Sequence, residues 1–466
     1  MPRFFVLIPL LLWLAAPTEQ VGGWVAGAGT WILCLVAPGF AWIASLARAR
    51  ALNRLRMTPR WARSLTIWSL PWLIVAFAIA CFVGGWPGTV VAWLGEGTDG
   101  FDTKAVVVGT APAYVAWALV VAGEWPIVRR RSPDEARVSF ARWWLAELRP
   151  TLLVTLAPLA VFWLVKDSIA LLLSVTFAPT GELAAALLTI FALAASLTIG
   201  PPVVRRVLPT EPIADDDGPG GQLYDLVRRT ALKRPAGLLR VWHTGGSVIN
   251  ALAVGIVPRF RYVLLSDLLL RSLPVEHVEA VLAHELGHLR HRHVLWFLIF
   301  FVAASLTTLG PIDLAYGWVL PPSEVTATLV IDGFVSVALI VGILTGFVLL
   351  SRLFERQADV FAARLISPGD SVSATGAWAF AEALRAAVQI NGPPPSQADG
   401  PGLVPRLRFV LRRQADLLHG SPRSRCDYLM WLADDATRTN AFERRVRTIK
   451  IAIVVLATIS LPFAFF

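Results

Sequence analysis

His284 and His288 stand four residues apart in VLAHELGHLRHRHVLWFLIFF, residues 281–301, with Glu285 between them. On a helix this spacing puts both imidazoles on one face, where they can share a zinc ion at about 2.0–2.1 Å. Glu285 sits one residue round the same helix and can take a proton from an attacking water. This is the H-E-x-x-H arrangement and its chemistry is metal-assisted hydrolysis. The chain has only seven histidines, which leaves little room for a chance match on a solvated helix. Gly287, inside the same helix, costs up to about 1 kcal/mol relative to alanine, a penalty that close packing at a metal site explains.

A third ligand must come from another stretch. His291 lies on the same face and His293 and His277 are close by. The extended H-E-x-x-H-x-x-G-x-x-H pattern, however, needs a histidine where this chain has Val294. The other source is SRLFERQADVFAARL, residues 351–365, where Glu355 and Asp359 are one helical turn apart. Glu355 completes a two-histidine, one-glutamate site with water in the fourth position. Asp359 can accept a hydrogen bond from a ligand imidazole and fix its tautomer.

The elements that must hold these groups follow from composition. Hydrophobic residues make up 56% of the chain, charged residues 16%, and the mean hydropathy is +0.62, well outside the range of soluble domains. Nine apolar windows, near 4–16, 24–46, 65–83, 105–123, 151–177, 183–204, 294–310, 328–350 and 449–466, approach the roughly 20 residues a spanning helix needs. The first is short enough to be a signal-peptide core, although Pro17 makes a poor cleavage context. The fifth carries Lys166 and Asp167, read either as a functional charge in the membrane or as a kink or re-entrant break. Arginines 48, 50, 54, 56, 60 and 63, and 129, 130, 131, 137, 142 and 149, fill alternate loops, whereas the other loops hold one basic residue, Lys104. That bias places the arginine-rich loops and the polar segments 205–293 and 351–448 on the cytoplasmic side.

The expected organisation is therefore a six-span membrane region (1–204), a cytoplasmic sheet and H-E-x-x-H helix (205–293), two spans with a short outside loop (294–350), a cytoplasmic helical part completing the site (351–448) and a last span (449–466). A short helix is predicted over Tyr224–Lys233. Strands are predicted at Leu238–His243, Val248–Val254 and Arg261–Ser266, the first two joined by Thr244-Gly-Gly-Ser247 into a small antiparallel sheet. Apolar positions 278, 281, 282, 286 and 289 then recur at helical spacing. The net charge of +10 is assigned to topology and anionic lipid rather than nucleic acid, since no basic stripe is interleaved with aromatics. Cys34, Cys81 and Cys426 have no disulfide or metal-ligand spacing.

These motifs together resemble the integral-membrane zinc endopeptidases of the HtpX and CAAX prenyl protease type, gluzincins with an H-E-x-x-H helix running into a span and an E-x-x-x-D helix after the next. The resemblance covers roughly 205–430. NALAVG, Asn250 to Gly255, looks like the family's edge strand, and HGSPRSR, His419 to Arg425, keeps the His-to-Arg spacing of its H-P-x-x-x-x-R element, with the proline at Pro422 instead of directly after the histidine. The implied fold is an all-α polytopic membrane protein carrying a cytoplasmic α+β zincin-like domain. The implied site has His284, His288 and Glu355 on one Zn2+ per chain, Glu285 and His419 as catalytic groups, Asp359 and Arg425 behind them, and Asn250, Ala251 and Ala253 holding an extended peptide.

The expected function is hydrolysis of peptide bonds in membrane-associated or misfolded proteins, with a cytoplasmic active site in a bacterial inner or plasma membrane. The partners are then a peptide or membrane-protein substrate and the lipid bilayer. Two other readings stay open: a signal-transducing protease similar to BlaR-type receptors, and a membrane protein whose metal site is not catalytic. Residues 391–402, NGPPPSQADGPG, read as a flap or as a plain surface loop. The ligand helices are expected to continue from their spans without a hinge, so that the membrane acts as scaffold.

Overall fold

The structure is a computed structural model that describes residues 8–16, 18, 22–55, 64–95, 102–126, 139–176, 182–216, 218–230, 232, 237–243, 249–304, 307, 325–367, 371–390 and 418–460. The segments 244–247 and 391–402 singled out above lie outside them. The chain divides into two compact units, Met1–Ser196 with Val330–Ser336, and Leu197–Leu329 with Val337–Phe466.

Helices make up the first unit: α1 (Ile8–Ala15), α2 (Gly23–Leu55), α3 (Ser64–Phe82), α4 (Trp86–Leu94), α5 (Thr103–Ala122), α6 (Phe140–Thr176) and the start of α7 (Glu182–Val207). Among the described residues, α5 alone is long and apolar enough to cross a bilayer by itself. Pro71–Phe82 and Trp86–Leu94, bent by 63°, would form a second span if the pair acts as one. Between α4 and α5, Trp86 is buried and its indole N–H donates to the Gly109 carbonyl at 2.8 Å. No re-entrant break occurs at Lys166 and Asp167: α6 runs unbroken past them. Lys166 lies 3.2 Å from Asp167 and 3.7 Å from Asp102, so the charges are neutralised by pairing and the backbone has no need to unwind.

In the second unit a four-stranded sheet has the order β1-β2-β4-β3, from β1 (Thr210–Pro212), β2 (Leu239–Trp242), β3 (Ala251–Val254) and β4 (Tyr262–Ser266). This corrects the expected antiparallel sheet. β2 and β3 are not neighbours, and β2 pairs with β4 in parallel, Leu239 opposite Val263, while β1–β2 and β3–β4 are antiparallel. The reason is burial. β4, YVLLS, is buried at every residue, and a continuous apolar run takes the centre of a sheet, leaving half-buried β3 at the edge. β3 ends at Gly255, whose φ of 97° and close approach to the Phe260 carbonyl exclude a side chain.

Around the sheet lie α8 (Pro219–Arg228), α9 (Asp267–Ser272), α10 (Val275–Arg290), α11 (His293–Ala304), α12 (Val325–Ile366), α13 (Ala374–Ile390), α14 (Pro422–Ala433) and α15 (Ala436–Ser460). The predicted 224–233 helix starts earlier, at Pro219, a proline in the first helical turn. α10 buries Val278, Leu282, Leu286 and Leu289 toward the sheet and α13, a stripe worth roughly 1.5–3 kcal/mol per fully buried side chain.

α12 continues without interruption through Glu355 and Asp359. α10 does not continue into the following apolar helix. It stops at Arg290, and Arg292 adopts φ 54°, a left-handed conformation found at no other non-glycine residue among those described. The expected hinge-free join is therefore corrected on this side. The turn costs roughly 1–2 kcal/mol, and it folds His293 back onto the ring of His288.

Candidate active site

α10 and α12 approach closely where Gly287 meets Ala358. A Cβ on Gly287 would lie 3.0 Å from the Ala358 Cα and 3.2 Å from its carbonyl oxygen, so any side chain there would push apart the two helices that carry the candidate ligands. Ala358 lies between Glu355 and Asp359, and the glycine thus sets the depth at which their carboxylates face the histidines.

His284, His288 and Glu355 each offer one donor atom, all within 4.8 Å of one another. The two Nε2 atoms are 3.2 Å apart, His284 Nε2 is 3.4 Å from Glu355 Oε2, and His288 Nε2 is 3.7 Å from Oε1. Ligands at 2.0–2.1 Å from a tetrahedral ion are separated by about 3.3 Å; the two imidazole nitrogens stand at that spacing, and the carboxylate turns one oxygen toward each of them. Glu355 Oε2 is also buried and makes no hydrogen bond of normal geometry, its neighbours being ion-pair approaches from His284 and Arg425, so a lone pair stays open to a cation. On both observations the residues fit a divalent metal with a His, His, Glu preference.

Behind this cluster Asp359, 1% exposed, lies 2.9 Å from His284 Nδ1. Arg425 grips Asp359 with two bonds, Nε to Oδ2 at 2.8 Å and a terminal nitrogen to Oδ1 at 2.5 Å, and its other terminal nitrogen is 3.3 Å from Glu355 Oε2. Pro422, displaced from its expected position after His419, opens α14 at its first position with Ser421 as cap, and so orients the helix that presents Arg425. His419, with its side chain 58% exposed, meets Glu355 Oε1 through Nδ1 at 2.7 Å. Phe380 stacks on the His284 ring.

Glu285 reaches the sheet edge, where its Oε2 accepts the Ala253 N–H at 2.7 Å. Asn250 turns its own side-chain oxygen onto the Ala251 N–H at 3.0 Å, and its backbone N–H donates to Ser266. Of the three other histidines weighed as third ligand, His291 sits edge-on to Phe361 at the end of α10, His277 lies in its first turn, and His293 meets the Nδ1 side of His288. None joins the donor cluster among the described residues.

Burial sets the ionisation, modified by neighbours. Burial together with His284 drives His288 down to about 3. Burial alone would also lower His284, but Asp359 and Glu355 outweigh it and raise the group to about 9. Burial opposes ionisation of Glu355, yet His284 and His419 hold it well below the ordinary carboxylate range. Asp359 is likewise lowered against burial by Arg425. The two carboxylates thus draw positive charge to the place where the three donors meet. Glu285 is the exception: burial pushes its carboxyl up, against the pull of His284, which is the direction a general base needs.

Residues 224–414 match the model of peptidase family M48. This stretch is similar to M48 peptidase domains. Both metal-site helices, α10 and the relevant part of α12, fall inside it, whereas His419 and Arg425 follow its last matched residue. The domain is similar to proteins named "Protease HtpX homolog", from Pelotomaculum thermopropionicum (37% identical over 86 residues, 18% of this chain and 30% of the relative) and Aeropyrum pernix (36% over 119 residues, 25% and 36%). "Protease HtpX homolog 1" of Sulfurisphaera tokodaii aligns at 29% over 184 residues, 37% of this chain and 56% of the relative. The chain therefore spans from about a third to just over half of the length of these relatives. The crystal structure of S. mikatae Ste24p aligns over 82% of this chain and 98% of its own, at 15% identity and a TM-score of 0.43, a level from which neither fold nor activity follows.

The neighbourhood of the donor cluster also contains groups that sequence reasoning did not place in the site. Gln357, Glu443 and Lys450 form a polar chain behind His288. Their only signal in sequence is that Gln357 falls between Glu355 and Asp359 on one helix.

Proposed function

We propose that the chain is a membrane-embedded zinc endopeptidase that hydrolyses peptide bonds of membrane-associated or misfolded proteins at the cytoplasmic face. The observation that carries this reading is the convergence of two imidazole nitrogens and a buried carboxylate, with a second carboxylate, that of Glu285, beside an open strand edge. A zinc ion held by His284, His288 and Glu355 would supply Lewis acidity, acidifying water and polarising a scissile carbonyl.

The chain's own residues do the rest. Glu285, buried and raised in pKa, accepts the proton of the attacking water and delivers it to the leaving amine. Asp359 holds the His284 proton on Nδ1 so that Nε2 stays a donor, and Arg425 holds Asp359. His419 is assigned to the charge that develops on the carbonyl oxygen; its exposure leaves it accessible to substrate. In β3 the Leu252 and Val254 pairs face β4, so the carbonyls of Ala251 and Ala253 point outward and can accept from an extended peptide. A strand held by main-chain bonds tolerates many side-chain sequences.

Membrane insertion is supported by the nine apolar windows, each overlapping a described helix, and by side chains such as Phe40, 73% exposed, Leu171, 68%, and Ile459, 64%. Large aliphatic and aromatic groups left outward on successive helices suit lipid rather than water.

The test uses full-length protein in detergent. With zinc it is expected to cleave casein or a model membrane substrate, to stop on chelation and to recover on zinc addition; cleavage indifferent to chelators would remove the metallopeptidase reading. Asp359→Ala is expected to weaken zinc binding about 10–100-fold, the usual effect of losing a ligand's hydrogen-bond partner, as read by competition with a chromogenic chelator.

A further inference from the structure

His288 turns Nε2 toward the donor cluster and Nδ1 away from it. Nδ1 lies 2.8 Å from Nδ1 of His293, a ring 1% exposed and stacked flat on Phe354 at 4.4 Å. His293 Nε2 is 3.1 Å from Gln357 Oε1. The Gln357 amide is fixed from both ends. Lys450 Nζ donates to its oxygen at 3.2 Å, and its nitrogen donates to Glu443 Oε2 at 3.1 Å. An ammonium only donates and a carboxylate only accepts. Turned over, the amide would set NH2 against the cation and oxygen against the anion, two repulsions in place of two bonds.

The direction of every other bond in the chain follows. Gln357 Oε1 can only accept, so His293 donates from Nε2. His293 is buried against an aromatic face with the Lys450 ammonium just beyond the amide, surroundings that hold a neutral ring rather than a second cation. A neutral imidazole that donates from one nitrogen accepts at the other, so His288 must carry its proton on Nδ1. Its Nε2 is then a bare lone pair aimed at His284 and Glu355.

We infer that His293 and Gln357 are positioning residues that fix the tautomer and orientation of His288, with Glu443 and Lys450 on α15 setting the polarity of the chain. The inference rests on the proposed metal site and gives its second imidazole the partner that Asp359 provides for the first. The left-handed Arg292 has a purpose on this reading: it brings a residue five positions on into contact with the ligand ring.

The test uses the full chain in detergent, with 15N-labelled histidine and zinc affinity measured by chelator competition. In metal-free protein the His288 ring is expected to show the Nδ1-protonated form. His293→Leu is expected to weaken zinc binding about 10–100-fold and leave His288 as a tautomer mixture, whereas His293→Asn, whose side-chain oxygen can accept in the same place, stays within about threefold of the parent. The paired exchange Glu443→Lys with Lys450→Glu keeps the charge sum, and is expected to turn the amide over, move the His288 proton to Nε2 and weaken zinc binding to a similar degree. His288 protonated on Nε2 in the parent, or an unchanged tautomer and affinity in both His293→Leu and the exchanged pair, would overturn the inference. The tautomer is read without metal, so a parent chain that binds no zinc overturns the metal site alone and leaves the chain to be judged by the spectrum.

Discussion

Glu285→Gln is expected to lower kcat about 10²–10⁴-fold, the range attributed to a positioned general base, while zinc stoichiometry stays at one per chain. The geometry separates the two effects. Glu285 is not among the three converging donors, and its one described hydrogen bond, from the Ala253 N–H, can be accepted equally well by a glutamine oxygen of the same size. What glutamine cannot do is take a proton. Turnover of a model substrate and metal content measured on the same preparation decide the matter. Cleavage at the parent rate would strip Glu285 of the role, and loss of zinc would make it a ligand instead.

Glu355→Ala should act in the opposite order, removing the metal first and activity with it. The carboxylate supplies the third donor and meets His284, His288, His419 and Arg425. With two imidazoles left, zinc affinity is expected to fall by more than the roughly 10–100-fold that follows loss of a mere orienting group. Unchanged stoichiometry would transfer the third-ligand role to another group, with His291 the first to examine. A lowered Tm in metal-free protein would accompany the change, because Arg425 keeps Asp359 but loses its second carboxylate.

The clustered part of the site was legible because it is local. H-E-x-x-H and E-x-x-x-D each encode a helical turn, and helical turns are fixed by spacing alone. That the two turns meet follows from Gly287 and Ala358, of which only the glycine left a trace in sequence. Sheet pairing was less accessible: whether β2 pairs with β3 or β4 depends on which strand is buried on both sides, and the Gly-Gly between β2 and β3 pointed to a hairpin that burial overrode. The group behind His288 was least accessible. Its members are separated by 64, 86 and 93 residues, and a glutamine, a glutamate and a lysine on helices ordinarily read as solvated surface. His293 drew notice as a histidine but in the wrong capacity, since nothing in RHRH indicates that Arg292 reverses the chain.

The unbroken path of α12 past Leu350 works as a ruler. Glu355 follows the apolar window by five residues, a rise of about 7.5 Å at 1.5 Å per residue. On the proposed topology the bond to be cut is therefore held just above the hydrocarbon, and an extended polypeptide at about 3.3 Å per residue needs only two or three residues of slack to arrive there. Proteins still threaded through the bilayer would then be attacked at their exit point, without first being pulled free.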